Sequence, residues 1–304
     1  MPALRWIARY AYVPTMLLGL NGLALALVSR GVTYLVVAPI LLAAIAFSLG
    51  MEHVLPYEAA WNEGHDDTPK DILHAIVYEV QNTNCTLFLP IIAWLVPWQG
   101  IWPREWPLLA QLGIAILAID AAGSLVHYAS HKVEWLWRLH AVHHGVYRLY
   151  SFNGLVRHPA HQLIDIIVGS LPLALIGMPV PVAVLLGLAV AIQLLVQHSN
   201  VDYRLGPFEG WLSVGHLHRL HHVNWREDGD VNFGLFFTFW DRILGTLRMP
   251  DERRPGVGEI GIQEREHYPQ AYARQLIEPF RRNRPAPEAV GEPSRPASSI
   301  GLRR

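Results

Sequence analysis

At 304 residues, 52% hydrophobic and 16% charged, with a mean hydropathy of +0.22, the chain has too little polar surface for a soluble globule, in which roughly 25% of residues are charged. Its net charge of −1 gives no electrostatic footprint for nucleic acid. The single cysteine, Cys85, excludes an internal disulfide framework and any Cys-x-x-Cys redox or zinc motif.

In chain order, residues 12–29 and 33–49 are apolar runs close to the roughly 20 residues that cross a bilayer. Only Arg30, Gly31 and Val32 separate them, which predicts a tight helical hairpin. Residues 71–96 form a third candidate span. Its front half carries His74, Glu79, Gln81 and Asn82, whereas 85–98 is nearly all apolar. Residues 108–126 form a fourth, interrupted by Asp120. Residues 163–197 are apolar but contain Pro172, Pro179 and Pro181, which predicts two helices, either a re-entrant hairpin or a shallow interfacial pair.

The expected fold class is all-α: a multi-pass membrane helical bundle of about four spans arranged as two hairpins, capped by a cytoplasmic helical layer. A second apolar segment follows the first at once, so the N-terminus does not read as a cleavable signal. Arg5 and Arg9 before the first span place the N-terminus in the cytoplasm, and Lys132, Arg138, Arg148 and Arg157 place the segment after residue 126 there too. The expected divisions are an N-terminal hairpin at 1–50, a histidine-bearing domain at 51–250 with spans near 72–98 and 108–128, and an extension at 251–280. A disordered tail at 281–304, rich in Pro, Arg and Ser, follows. Two lysines against 22 arginines suit a GC-rich bacterial gene and hence a bacterial inner membrane.

Eight of the sixteen histidines fall in three short clusters: His127-Tyr-Ala-Ser-His131, His140-Ala-Val-His143-His144 and His218-Arg-Leu-His221-His222. Spacings of three and four put side chains on one face of a helix, so each cluster presents two or three imidazoles in one direction. Neutral imidazole is the commonest side-chain metal ligand, and eight exceed what one four-coordinate ion needs, which points to two ions. His198, at the end of the last apolar run, is the natural ninth ligand. All-nitrogen sites suit Fe, Zn, Cu or Ni. The first cluster lacks the Glu of His-Glu-x-x-His proteases, and the Glu-x-x-His helices of soluble di-iron bundles are also absent. Spacing therefore favours iron without excluding the others. Asp120, Ser124, His127 and His131 form one helical stripe, so Asp120 is a candidate acceptor for the proton of a ligating imidazole, or else a partner for a neighbouring helix.

These clusters, in this order, resemble the fatty acid hydroxylase and sterol desaturase superfamily of membrane non-haem di-iron enzymes. So do Arg157-His158-Pro159, the stretch from His198 to Asp202, and Asn232 to Thr246. Glu52-His-Val-Leu-Pro-Tyr57 followed by Trp61-Asn62 looks like bacterial members and the alkylglycerol monooxygenase branch. The resemblance covers about 35–280. It implies a 51–250 catalytic domain with two iron ions held by His127, His131, His140, His143, His144, His198, His218, His221 and His222, and O₂ as co-substrate. His158 and Asn232 would then support the ligands, and His216 is a weaker candidate; His53, His65, His74, His161 and His267 have no such support.

The implied function is O₂-dependent hydroxylation or desaturation of a membrane lipid (sterol, fatty acyl or related), with an ether-lipid monooxygenase as the alternative. Electrons must come from an external donor, a ferredoxin or cytochrome b5-like protein with its reductase. Gly256-Val-Gly-Glu-Ile-Gly261 matches a dinucleotide fingerprint literally but lacks the preceding strand, and reads as a flexible loop. From another class, a histidine-rich metal transporter or sensor would place its ligands near the bilayer midplane on discontinuous spans, whereas these clusters lie mostly after the fourth apolar run.

Overall fold

The long apolar runs form helices, and where these begin and end decides what they bring together. The computed structural model of the protein describes residues 2–64, 66–95, 100–224, 229–250, 254–263 and 268–281. The tail predicted to be disordered lies, beyond Arg281, outside the described residues, as do His65 and His267. Helix α1 (Pro2–Pro14) continues through a π-helical turn, Thr15–Leu20, into α2 (Asn21–Ser29). The wide turn follows Pro14, which has no N–H to give the helical ladder. Gly31, at φ +80°, then reverses the chain, and α3 (Val37–Val54) returns it.

The second hairpin pairs α4 (Thr68–Leu95) with α5 (Leu108–Lys132). After α6 (Glu134–His144), a third descends through α7 (Pro159–Asp165), a π-helical turn and α8 (Leu171–Leu175), and rises as α9 (Val180–His198). Short helices α10 (Gly215–His221), α11 (Phe239–Leu244) and α12 (Tyr272–Ile277) complete the order. No strand occurs among the described residues, only isolated bridges such as Val223 with Ile260. The protein is thus an all-α, multi-pass membrane protein.

The set of apolar helices differs from the expected one. Among the described residues, the four long and apolar enough to cross a membrane are Leu4–Ser29, Tyr34–Val54, Leu108–Lys132 and Val180–His198. The third candidate span does form a helix, α4, over its described residues, but Glu79, Gln81, Asn82, Thr83 and Asn84 remove it from that set. Its place is taken by α9. As the prolines predict, 163–197 forms two helices, and Pro179 and Pro181 stand at the start of the second, where a proline withholds an N–H that has no intrahelical partner anyway. Trp102 N–H donates to Ile176 O (3.0 Å) and Arg104 to Gly177 O (2.9 Å), joining the α4–α5 and α8–α9 loops at the end far from the histidines.

At the other end, the starts of α1 and α4 and the ends of α3, α5 and α9 meet under a cap. Arg9 pairs with Asp202 (2.6 Å), and Arg148 grips Asp67 through two nitrogens (2.8 and 2.7 Å). Large apolar side chains such as Leu18, Leu35, Leu42, Leu109 and Leu117 are exposed around the bundle, a contiguous surface of the kind that lipid covers. Helix α9 is the buried axis, with 67% of its apolar window inside the protein against 17–33% for the other three.

One buried carboxylate ties this axis to the N-terminal hairpin. Glu52, in the last turn of α3 and 2% exposed, accepts hydrogen bonds from the Ser151 N–H (2.8 Å), the Ser151 hydroxyl (2.6 Å) and the Asn200 N–H (3.1 Å). Asn200 lies two residues after His198 and bonds back to Glu58 and Asn62. Replacing the carboxylate leaves buried donors without a partner, each costing about 1–3 kcal/mol. Glu52→Ala is therefore expected to lower the melting temperature of the detergent-solubilised protein markedly and Glu52→Gln less so; a wild-type melting curve for Glu52→Ala would contradict this role.

Candidate metal centre

The nine histidines expected as ligands converge at the cap end of the bundle. Helix α5 carries His127 and His131 in its last turns, Val133 breaks the helix, and α6 folds back with His140, His143 and His144. Helix α9 ends on His198, and α10 brings His218 and His221, with His222 as its C-terminal cap. The imidazoles sort into two groups, in each of which one nitrogen per ring lies within 4.8 Å of all the others: His127, His131, His140, His144 and His221; and His143, His198, His218 and His222. The groups do not follow the clusters of the sequence. Neighbouring residues on a helix diverge by about 100°, so His143 and His144 point to different groups, and so do His221 and His222.

Hydrogen bonds orient the rings. The Nδ1 atoms of His127, His143, His198 and His221 lie 2.8–3.0 Å from the backbone oxygens of Phe233, Val156, Leu194 and Val231. A neutral ring that donates from Nδ1 keeps its lone pair on Nε2. The Nε2 atoms then face one another: His127 and His221 at 2.9 Å, His143 and His198 at 3.2 Å. In both contacts each ring has already given its proton to a carbonyl, so two lone pairs meet head-on. That is repulsive between neutral rings and favourable around a shared cation. The donor set therefore fits a metal ion in each group, and all-nitrogen ligation suits Fe, Zn, Cu or Ni.

Burial and then the neighbouring histidines push the pKa values of His140, His143, His144, His218 and His222 well below the usual histidine range. These rings stay neutral, the form that ligates, at physiological pH.

The supporting residues are not all those expected. Asp120 reaches no imidazole: its carboxylate accepts from the Phe236 and Phe237 N–H groups (2.6 and 3.3 Å) and so holds the loop whose Phe233 oxygen orients His127. The carboxylate that does meet a group is Asp230, 3.3 Å from His131 Nδ1 and paired with Lys132. Burial opposes its ionisation, but hydrogen bonds from His131 and Lys132 hold its pKa down to about 2. His158 caps α7 through the Ala160 N–H and contacts Leu276 O, away from both groups.

Asn232, at φ +56°, donates to Leu217 O and Arg248 O, fixing a turn beneath α10. His216 packs on Tyr203 outside the groups, and His53 and His74 also lie apart. His161 lies closer than its spacing suggests, with its ring 4.9 Å from His140 and Nε2 2.8 Å from the Ser130 hydroxyl. The segment from Gly256 to Gly261 is a turn without a strand, as expected, but it is packed: Ile260 is buried and Gly261 N–H bonds His222 O.

Two cavities reach the histidines from opposite sides. The larger, of about 300 Å³, lies among α4, α5, α7–α8 and α9. Its walls include Phe88, Ile119, Leu171, Met178 and Leu186, and it meets His127 of one group and His198 and His218 of the other. The smaller, of about 60 Å³, opens between Trp137, Asp230 and Ile262 onto His131, His144 and His221.

A family model described as fatty acid hydroxylase matches residues 112–246. The chain is 31% identical over 250 residues to the ornithine lipid hydroxylase OlsE of Rhizobium tropici, covering 79% of this chain and 74% of that protein. It is 34% identical over 157 residues to cholesterol 25-hydroxylase of Rattus norvegicus, covering 48% and 51%. With alkylglycerol monooxygenase of Homo sapiens it shares 29% over 152 residues, covering 50% and 33%; the chain thus spans about half and a third of the length of these two relatives. No solved structure matches the chain.

Gly154 gives a test of how tightly the site is built. A Cβ there would run into the backbone of Leu194 and come within 3.0 Å of His198 Nδ1, against the carbonyl that orients this ring. Gly154→Ala is expected to cost on the order of 1–3 kcal/mol, as overpacking does, and to weaken divalent-metal binding measured by equilibrium dialysis; unchanged binding and melting would contradict the close packing.

Proposed function

The chain belongs to the fatty acid hydroxylase family and is an oxidoreductase, and from that premise we propose that it is an O₂-dependent, di-iron hydroxylase or desaturase of a membrane lipid. His127, His131, His140, His144 and His221 hold one ion, and His143, His198, His218 and His222 hold the other. The observation that carries this reading is the pairing of inward-facing Nε2 lone pairs with an apolar cavity that touches both groups. When bound, the iron pair supplies the activation of O₂ for attack on an unactivated C–H bond.

The chain's own residues do the rest. Ile119, Leu171 and Leu186 receive a hydrocarbon segment and exclude water from the reacting carbon. Backbone oxygens of Phe233, Val156, Leu194 and Val231 hold the ligand protons on Nδ1, so the rings stay aimed inward. Asp230 holds the Nδ1 side of His131 in the same way.

Electrons arrive from a separate donor, a ferredoxin or cytochrome b5-like protein with its reductase. Arg5 and Arg9 lie at the cap end of the bundle, which supports a cytoplasmic face for the histidines, in a bacterial inner membrane. A relative covered over 74% of its length is an ornithine lipid hydroxylase, which favours hydroxylation of a polar lipid. An ether-lipid monooxygenase is the second reading, supported by the likeness to alkylglycerol monooxygenase.

Metal analysis of protein purified from iron-replete cells is expected to find about two irons per chain, one for each histidine group; zinc alone would overturn the oxygenase reading. His143→Ala and His221→Ala, which strike different groups, are each expected to lower the iron content and abolish turnover. Lipid extracts of cells expressing the wild type but not these variants should contain a species heavier by one oxygen or lighter by two hydrogens; identical lipid profiles would contradict the assignment.

A further inference from the structure

The cavity beside the histidines is apolar along most of its wall, yet an arginine and an aspartate face into it. Arg157 and Asp165 both line this cavity and pair through Nη1 and Oδ2. Their side chains are 15% and 23% exposed. The guanidinium is not saturated, since Arg157 Nε is buried without a hydrogen-bond partner among the described residues. Beside it, the Gln162 amide is already committed to Tyr78 O and Asn82 Oδ1 (2.9 and 3.1 Å). The same Oδ2 of Asp165 lies 3.4 Å from His161 Nδ1.

A cavity that took only hydrocarbon would gain nothing from these groups. An ion pair set in an apolar wall carries a desolvation cost that hydrophobic residues of similar volume avoid. An unused buried donor adds to that cost. Both costs are offset when a ligand brings a matching polar group. An arginine offers five N–H donors in a fixed fork, so with one arm on Asp165 it can still bind an oxygen acceptor. The contacts from Arg157 and His161 both fall on Asp165 Oδ2, which leaves Oδ1 to accept an N–H or O–H.

Resting on the lipid-oxygenase reading, we propose that Arg157 and Asp165 form the polar subsite for the lipid substrate. The subsite takes a group that offers an oxygen acceptor to Arg157 and an N–H or O–H donor to Asp165, such as an amide or a hydroxyl. Because Arg157, Asp165, His127, His198 and His218 share one cavity of about 300 Å³, the anchored group and the attacked carbon lie close together along the lipid. The enzyme therefore oxidises near a polar group, not at the remote end of a tail. Arg157 and Asp165 set which lipid binds and which carbon is presented, leaving the oxidation itself to the metal-bearing end of the cavity.

The test is equilibrium binding to the full-length protein in detergent, read by displacement of a fluorescent fatty probe by stearamide, N,N-dimethylstearamide and octadecane. Wild-type protein is expected to bind stearamide more than about tenfold tighter than octadecane, the size of a hydrogen bond to a charged group. Arg157→Met should bring the two within about twofold while octadecane binding and metal content stay unchanged, and Arg157→Lys should restore part of the ratio. Asp165→Asn, which keeps the shape of the pair, should abolish the preference for stearamide over its dimethyl analogue, which has no N–H.

Equal binding of stearamide and octadecane by the wild type, or an unchanged ratio in both Arg157→Met and Asp165→Asn, would overturn the subsite. These readouts need no turnover. Protein that contains no iron but discriminates through Arg157 would sink the oxygenase reading and leave the subsite standing, and iron-loaded protein without discrimination would do the reverse.

Discussion

Much of this molecule depends on a hydrogen bond repeated around the site, from an imidazole Nδ1 to a backbone oxygen. Each such bond places a ring's proton on the outside of the cluster and its lone pair on the inside. With His127, His143, His198 and His221 fixed in this way, the interior of the cap becomes a shell of electron pairs held apart only by what they share. The arrangement resists close packing as neutral protein and is stabilised by cations, so metal binding and the stability of the cap are linked.

The helical framework exists to bring these rings to one place. Helices α5 and α9 end there, α6 folds back there, and α10 lies across them. Glu52 and Asn200 fasten the turn after His198 to the N-terminal hairpin, and Asp120 fastens the loop that orients His127. Both carboxylates act on the site through the backbone. The same helices leave a largely apolar cavity whose wall includes histidines of both groups.

The convergence of the candidate ligands was legible because a helix converts spacing into direction. Residues three and four apart share a face, which singled out eight histidines, and the end of the last apolar run singled out His198. The division into five and four was harder to foresee. It depends on the 100° step between His143 and His144 and between His221 and His222, and on how α5, α6 and α10 cross.

Asp230 escaped notice and His161 was set aside because their partners come from distant segments and carry no local pattern. For the same reason Asp120 could be seen to matter but not what it bonds, since Phe236 lies on a loop 116 residues away. The apolar helices were misplaced once. The prolines near residue 180 divide 163–197 into two helices as predicted, but the second of them, α9, is long and apolar enough to count as a span and is the buried axis of the bundle.

Whether nine imidazoles hold two iron ions can be read by X-ray absorption at the iron K-edge of the purified protein. The expected spectrum has a first shell of nitrogen and oxygen without sulfur, with outer-shell scattering from four and five imidazoles on the two ions. One or two imidazoles per iron, or a sulfur shell, would contradict it.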